Sequence, residues 1–412
     1  MTSHLRQARD LWPEHRRVGL AAQEVGQEVG NGVTNDESTM TTASSHPTMH
    51  TKRDYSLVGE STRSAIESGL TSAEWYQTPV PRQAMKELMK RSDAPAIRDT
   101  IIWLGVMAAA LAGGIWFWGT WWCVPFFFVY GTLYGSASDS RWHECGHGTA
   151  FKTRWMNDAV YEIASFMLMR NPVTWRWSHA RHHTDTIIVG RDAEIAVMRP
   201  PDLLRVALNF GGIVDVWRSL NTLVRNAAGI LSDDEKSFIP EAEWSKAVFS
   251  ARVHVAIYVA AIAAALIMRS WLPLVIIGLP RMYGCWHLVM VGLLQHGGLA
   301  DNVVDYRLNT RTVYMNPISR FIYWNMNYHV EHHMYPLVPF HAMPRLHELV
   351  KDDLPTPNPS IWHAYREMIP ALVRQLRNEE YFVKRELPPT ARAYREGIVS
   401  RRRGEAAAPY VH

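Results

Sequence analysis

The sequence predicts an all-α integral membrane protein: four transmembrane helices as two hairpins, with a cytoplasmic helical cap. Three observations predict it. Two apolar runs, residues 101–134 and 253–294, are each interrupted by turn-forming residues. At 1.5 Å of rise per residue, each is too long for one crossing of a bilayer core about 30 Å thick and suits a tight hairpin. Tryptophans gather at the interruptions, and Lys and Arg gather in the segments outside the hairpins.

The composition agrees. Of 412 residues, only 20% are charged while 11% are aromatic, 17 of them Trp. That excess suits a protein with many membrane–water boundaries. The mean hydropathy of −0.16 excludes a chain that is mostly lipid-embedded, so a large polar part accompanies the spans. A net charge of +4, with no basic stripe interleaved with aromatics, argues against nucleic acid as a partner. Cys123, Cys145 and Cys285 are too few and too scattered for a disulfide framework.

Taken in order, residues 1–70 read as a disordered extension. Residues 23–51 are rich in Thr, Ser, Gly, Asn and His and cannot bury enough apolar surface to order themselves. The segment carrying Arg6, Arg9, Arg16 and Arg17 lacks the apolar core of a signal peptide, and Met40 or Met49 offers a tidier start. Residues 71–350 read as the membrane domain with its cap, and 351–412 as a cytoplasmic helical tail. The first hairpin turns at Gly119 and Thr120, among Trp116, Trp118, Trp121 and Trp122; the second turns near Arg269, Ser270 and Pro273, beside Trp271. A buried core helix in a soluble protein is the competing reading of each run. Arg82, Lys86, Lys90, Arg91 and Arg98 precede the first hairpin, and the hairpin turns are almost free of basic residues. The positive-inside tendency then puts both termini and the 141–250 connection on the cytoplasmic side, with the membrane the inner or plasma membrane if the source is bacterial. Residues 205–231 read as an amphipathic helix, with Leu208, Ile213, Val216, Leu220, Leu223 and Ala227 on one stripe and Arg205, Arg218 and Arg225 elsewhere. Such a helix fits the membrane interface or the cytoplasmic body equally well.

Three short windows carry the chemistry: His143-Glu-Cys-Gly-His147, His179-Ala-Arg-His182-His183 and His329-Val-Glu-His332-His333. With 19 His in the chain, fifteen positions should hold about one by chance, and these hold eight. On a helix, spacings of three and four put side chains on one face, so each window presents two or three imidazoles together. Neutral imidazole suits Zn, Cu, Fe or Ni, and eight nitrogens exceed the needs of one four-coordinate zinc. His296, where the last span leaves the bilayer, is a ninth candidate; an interfacial histidine bonded to backbone is its competing reading. His287, His341 and His347 read as structural.

The first window is also a literal H-E-x-x-H, which on a helix can hold zinc with Glu144 as general base. That reading, an intramembrane zinc protease, leaves the other two windows unexplained. A membrane carrier of metal or haem, without turnover, is a further alternative.

The arrangement resembles the membrane fatty acid desaturase family, with its HxxxH, HxxHH and distal HxxHH boxes and two membrane hairpins. The resemblance covers roughly residues 98–350. It implies that His143, His147, His179, His182, His183, His329, His332 and His333 bind metal, with His296 as the extra ligand the family often supplies. The stretch from Asp305 through Arg311 and the Pro-Phe-His-Ala-Met-Pro segment are also similar to the family. The implied cofactors are two iron ions in a non-haem di-iron centre, with O2 as co-substrate. The implied reaction introduces a double bond into a fatty acyl chain or related lipid; hydroxylation of a lipid or small polar substrate is the alternative within the same family. Removing hydrogen from an unactivated CH2 is beyond any side chain, so the hard chemistry belongs to the metal. Glu144 and Glu331, beside the ligands, are expected to accept from imidazole N–H groups, with ordinary salt bridging to Arg141 or Arg181 as the competing role. The His46-Pro47 pair lacks the glycines of a fused cytochrome b5, and three cysteines cannot hold an iron–sulfur cluster of four. The electron donor is therefore expected to be a separate ferredoxin, rubredoxin or cytochrome b5 with its reductase. Arg281, within an apolar run, is a candidate for a substrate head group or for backbone carbonyls at a Pro-induced break.

Overall fold

Long helices form where the sequence is apolar and free of breakers. A computed structural model describes residues 53–396 and 398; the sequence expectations for residues 1–52 lie outside it. After α1 (Glu60–Glu67) and α2 (Arg82–Leu88) comes α3 (Asp93–Trp116), with Ser92 in extended conformation at its start and Asp93 in its first turn. α10 (Trp244–Met268) is the second long helix and ends where Arg269 takes a left-handed conformation. Among the described residues, the helical stretches Arg82–Trp116 and Glu241–Met268 are the two long and apolar enough to cross a membrane. Every other regular element described is also helical, apart from three isolated bridge pairs.

The helical segments that follow the two long helices are interrupted. α4 (Cys123–Thr132) runs through one wide π turn, Leu133–Ala137, into α5 (Ser138–Gly146), which carries the first histidine window. The second return leg is broken into α11 (Leu272–Ile276), α12 (Pro280–Tyr283) and α13 (Trp286–His296), with Gly278 at φ 94° between the first two. A close backbone crossing accounts for this. A Cβ on Gly284 would lie 1.7 Å from the Gly131 carbonyl oxygen, and one on Gly135 would lie 2.6 Å from that of Pro280. Gly131-x-x-x-Gly135 thus acts as a small-residue seam. Hydrogen bonds satisfy the groups freed by the break: Ser136 Oγ donates to the Gly284 carbonyl at 2.6 Å and accepts from Leu288 N at 2.9 Å.

The rest of the chain packs around α5. α6 (Arg154–Met167) and α7 (Pro172–Thr184) follow it directly. Asn171 caps α7 by accepting from Val173 N and Thr174 N, and its amide donates to Asn226 and to the Ala247 carbonyl, tying α7 to α9 and α10. The expected 205–231 helix is split at Gly211-Gly212 into α8 (Leu203–Asn209) and α9 (Ile213–Ala227). Val216 and Leu223 bury themselves against Ala251 and Val255 of α10, while Leu208 and Ile213, expected on the same stripe, are exposed. Beyond α13 come α14 (Pro317–Tyr323), α15 (His329–Met334), α16 (Met343–Val350) and α17 (Ile361–Gln375).

Both expected domain boundaries fall inside packed structure. Residues 53–70 are not a loose tail: Leu57 N donates to Asp234, Thr62 donates to the Gly190 carbonyl, and Ala65 and Leu70 bury themselves with Ile188 and Val304. Their apolar residues are too sparse for a periodicity. At the other end, Ala364, Met368 and Leu372 of α17 cover Leu293 and Leu294 of α13.

Substituting Gly284 by Ala forces the crossing apart and should destabilise the protein by about 1–3 kcal/mol. Gly105→Ala on the outer face of α3, where a Cβ meets nothing within 4 Å, should be neutral or stabilising by up to about 1 kcal/mol. Thermal unfolding of the detergent-solubilised variants, followed by intrinsic fluorescence, checks the contrast.

Candidate metal centre

Three short helices aim the windows at one place. α5 supplies His143, and its C-cap residue is His147, one turn on. α7 supplies His179, His182 and His183, and α15 supplies His329, His332 and His333. Successive side chains on a helix are rotated by about 100°, so positions i and i+4 nearly align while i+3 points about 60° to the other side. Each HxxHH helix therefore divides its imidazoles between two directions. His179 and His183 join His143, His147 and His332 in one group; His329 and His333 join His182 and His296 in the other. Within each group the candidate ligand nitrogens all lie within 4.8 Å of one another. The groups adjoin, with the His183 and His333 rings 4.6 Å apart between centroids. All nine sequence-predicted histidines are thus brought together, including His296 from the last residue of α13.

The polar atoms fit a metal. Nε2 of His179 lies 3.2 Å from Nε2 of both His147 and His183, and His332 Nε2 lies 3.2 Å from that of His183. Such contacts between ring nitrogens are satisfied without a cation only if a proton is shared at each. Both nitrogens of His143 and Nε2 of His296 are buried without a hydrogen-bond partner. Burial, and then the neighbouring imidazoles, hold His143, His183, His329, His332 and His333 far below the ordinary histidine pKa. Neutral imidazole is the form that binds metal.

The carboxylates that orient these rings are not the two expected. Glu144 accepts from Thr149 Oγ1 at 2.7 Å and from Phe340 N at 2.9 Å, and burial pushes its pKa up to about 7. Glu331 accepts from Thr312 Oγ1 at 2.6 Å and from His347 Nδ1. Both fasten the ligand helices to their surroundings. The cluster rings are held instead by residues that sequence reasoning missed. His182 Nδ1 donates to Asp192 at 2.8 Å and His179 Nδ1 to Glu194 at 3.0 Å. Burial opposes a charge on His182, but Asp192 outweighs it and raises the His182 pKa. Thr186 Oγ1 donates to the His182 carbonyl and accepts from His333 Nδ1, and His296 Nδ1 donates to the Asn309 carbonyl at 2.8 Å. The only sequence signal for this layer is the pair of acids in the loop directly after the second window. His287 bonds Ser319 at 3.1 Å, and Arg281 donates to the Leu168 carbonyl at 3.3 Å, both outside the centre.

The profile for fatty acid desaturases matches residues 119–365, more than half of the chain and all three windows. The chain belongs to the fatty acid desaturase family. Among curated desaturases, it is 31% identical over 101 residues to an sn-1 oleoyl-lipid 12-desaturase of Synechocystis sp., covering 24% of this chain and 28% of that protein. It is 26% identical over 257 residues to an omega-6 fatty acid desaturase, endoplasmic reticulum isozyme 1, of Glycine max, covering 52% and 63%. A Δ12-acyl-lipid desaturase of Punica granatum matches at 35% over 75 residues, 18% and 19% of the two chains. The chain therefore spans less than two thirds of each of these desaturases.

Within this family site, removing the acceptor of a ring N–H should loosen the ring. Asp192→Ala or Glu194→Ala should weaken Fe2+ binding about 10–100-fold, whereas Glu348→Ala on the exposed side of α16 should not change it. Titration of Fe2+ into metal-stripped protein measures the difference.

Proposed function

We propose that the chain is an O2-dependent oxidoreductase that introduces a double bond into the acyl chain of a membrane lipid. The observation that carries this is the division of nine imidazoles, seven buried and two half-buried, into two adjoining groups, one of five and one of four. That donor set, nitrogen-rich and able to leave positions open, suits two non-haem irons. His143, His147, His179, His183 and His332 would hold one, and His182, His296, His329 and His333 the other. The irons would supply the oxidising power toward an unactivated CH2 that no side chain has. In the overall balance the acyl chain loses two hydrogens, O2 becomes two waters, and a separate donor supplies two electrons while solvent supplies two protons. Asp192 and Glu194 fix the tautomer of His182 and His179, and burial keeps water from the reacting atoms. The hydrolase reading of the first window is disfavoured because Glu144 is occupied by Thr149 and Phe340 N.

The reading includes four spans, with α3 and α10 as outgoing legs, α4–α5 and α11–α13 as return legs, and the histidines on the cytoplasmic side. Two features support it. Trp116, Trp121, Trp122 and Trp271 stand exposed at the hairpin turns, as at a membrane interface, and Ile101, Phe249, Val259, Leu266 and Ile267 expose apolar surface along the long helices. The similar desaturases of Synechocystis sp. and Punica granatum are acyl-lipid desaturases by name, which favours an acyl lipid as substrate.

Elemental analysis of protein purified from iron-sufficient medium should give about two irons per chain, the number of groups that the histidines form. His182→Ala and His332→Ala should lose iron and turnover together. Lipid profiling should reveal an O2-dependent double bond; about one zinc without iron, or full activity in either variant, would sink the proposal.

A further inference from the structure

Resting on the desaturase reading, electrons must reach a centre whose ligands are almost wholly enclosed. Of the nine histidines only His183 and His296 are less than fully buried. His296 opens on a small cavity of about 70 Å³ that it lines with His182, Glu194 and Gln295, wide enough for small molecules but not for a protein. His183 lies at the end of α7, and there the surface has a different character.

Trp75, in the loop before α2, is only partly buried. Its indole Nε1 donates to the carbonyl of Thr184, the residue after His183, at 2.9 Å. Its ring stacks on Tyr306 with centroids 4.4 Å apart and planes inclined by 16°. Tyr306 is buried, donates its hydroxyl to the His183 carbonyl at 3.1 Å, and brings its ring to 5.4 Å from that of His333. Two rings in contact therefore lead from the surface to a residue of each histidine group. Electron transfer through protein weakens exponentially with distance and is weaker across gaps than through packed contacts, so this is a favourable entry.

Arginines from two segments lie near this surface, with exposed Glu74 and paired Asp185 among them. Arg181 and Arg191 lie together at the end of α7, Arg191 pairing with Asp185 at 2.9 Å. From the C-terminal segment come exposed Arg392 and also Arg395, which donates to the Glu74 carbonyl at 2.6 Å beside Trp75. A partly exposed Trp with an Arg beside it suits an interface anchor, and positive charge steers an acidic partner.

We propose that the surface around Trp75 and Thr184 docks a small acidic one-electron carrier protein, and that the Trp75–Tyr306 stack is the electron's route inward. In the transfer the carrier's redox centre would lose one electron, and the metal that the two histidine groups would hold would accept it. The two rings serve as the medium and are neither oxidised nor reduced. Such contacts are small, short-lived and salt-sensitive.

The test uses iron-loaded full-length protein in lipid nanodiscs, with a plant-type [2Fe–2S] ferredoxin as the acidic probe. Binding of the oxidised probe is measured without turnover, and lipid product is measured with reduced probe or with a small-molecule reductant. Arg392→Glu should weaken ferredoxin binding and raise its KM about tenfold at low salt, an effect that fades near about 0.5 M salt. Trp75→Ala should slow ferredoxin-driven turnover, Trp75→Phe should restore it, and turnover with the small reductant should be unchanged in all three. Unaltered binding and KM in Arg392→Glu, or unaltered ferredoxin-driven turnover in Trp75→Ala, would overturn the docking proposal. Absence of lipid product from the native protein with the small reductant would instead remove the desaturase reading, and the binding comparison would still decide whether the surface docks the carrier.

Discussion

Nine imidazoles converging in a largely enclosed interior are the constraint on which the remaining structure depends. A buried polar group without a partner costs about 1–3 kcal/mol, and here unpaired ring nitrogens are concentrated in one volume. The cost is tolerable if the rings share a cation, and the chain around them is arranged to keep them pointing inward. α7 and α15 perform the same division, each giving its aligned pair to one group and its odd member to the other. Two centres side by side are the direct outcome of packing two such helices against α5 and the end of α13.

Around the rings lies a second layer whose work is orientation. Asp192, Glu194, Thr186 and the Asn309 carbonyl each take or anchor a ring N–H, leaving the opposite nitrogen for the centre. Further out, ion pairs fasten the elements that carry the ligands. Arg307 is fully buried with Asp305 at 2.8 Å. Arg311 pairs with Glu367 of α17 and donates to the Leu294 carbonyl, holding the end of α13 where His296 sits. Such buried charges add little net stability but are expensive to separate, so they specify one arrangement. The glycine crossing of α4 with α12 and α13 does the same for the apolar part, since it leaves no room for another register.

This architecture explains why the apolar and polar halves must be read together. The helix that starts in the apolar hairpin as α4 ends as the first ligand helix α5, and α13 ends on His296. On the proposed route, an electron passing through Trp75 and Tyr306 would arrive at these same histidines.

The sequence by itself determined the helical class, the three windows and the ninth histidine. Local spacing decides which imidazoles share a helix face, and their abundance has no other ready explanation. It also determined that the two apolar runs fold back on themselves, because Gly-Thr and Ser-Trp-Leu-Pro interrupt them. Only the tertiary structure decided the division of the histidines into five and four, since that depends on how α5, α7, α13 and α15 are rotated against one another. It alone replaced Glu144 and Glu331 by Asp192 and Glu194 as ring acceptors: neighbours in sequence on a short helix point away from the face their ligands use, whereas a returning loop can reach that face. The same holds for Gly131, Gly135 and Gly284, whose role exists only where two backbones cross, and for Trp75 and Tyr306, which lie far apart in sequence and meet only after folding.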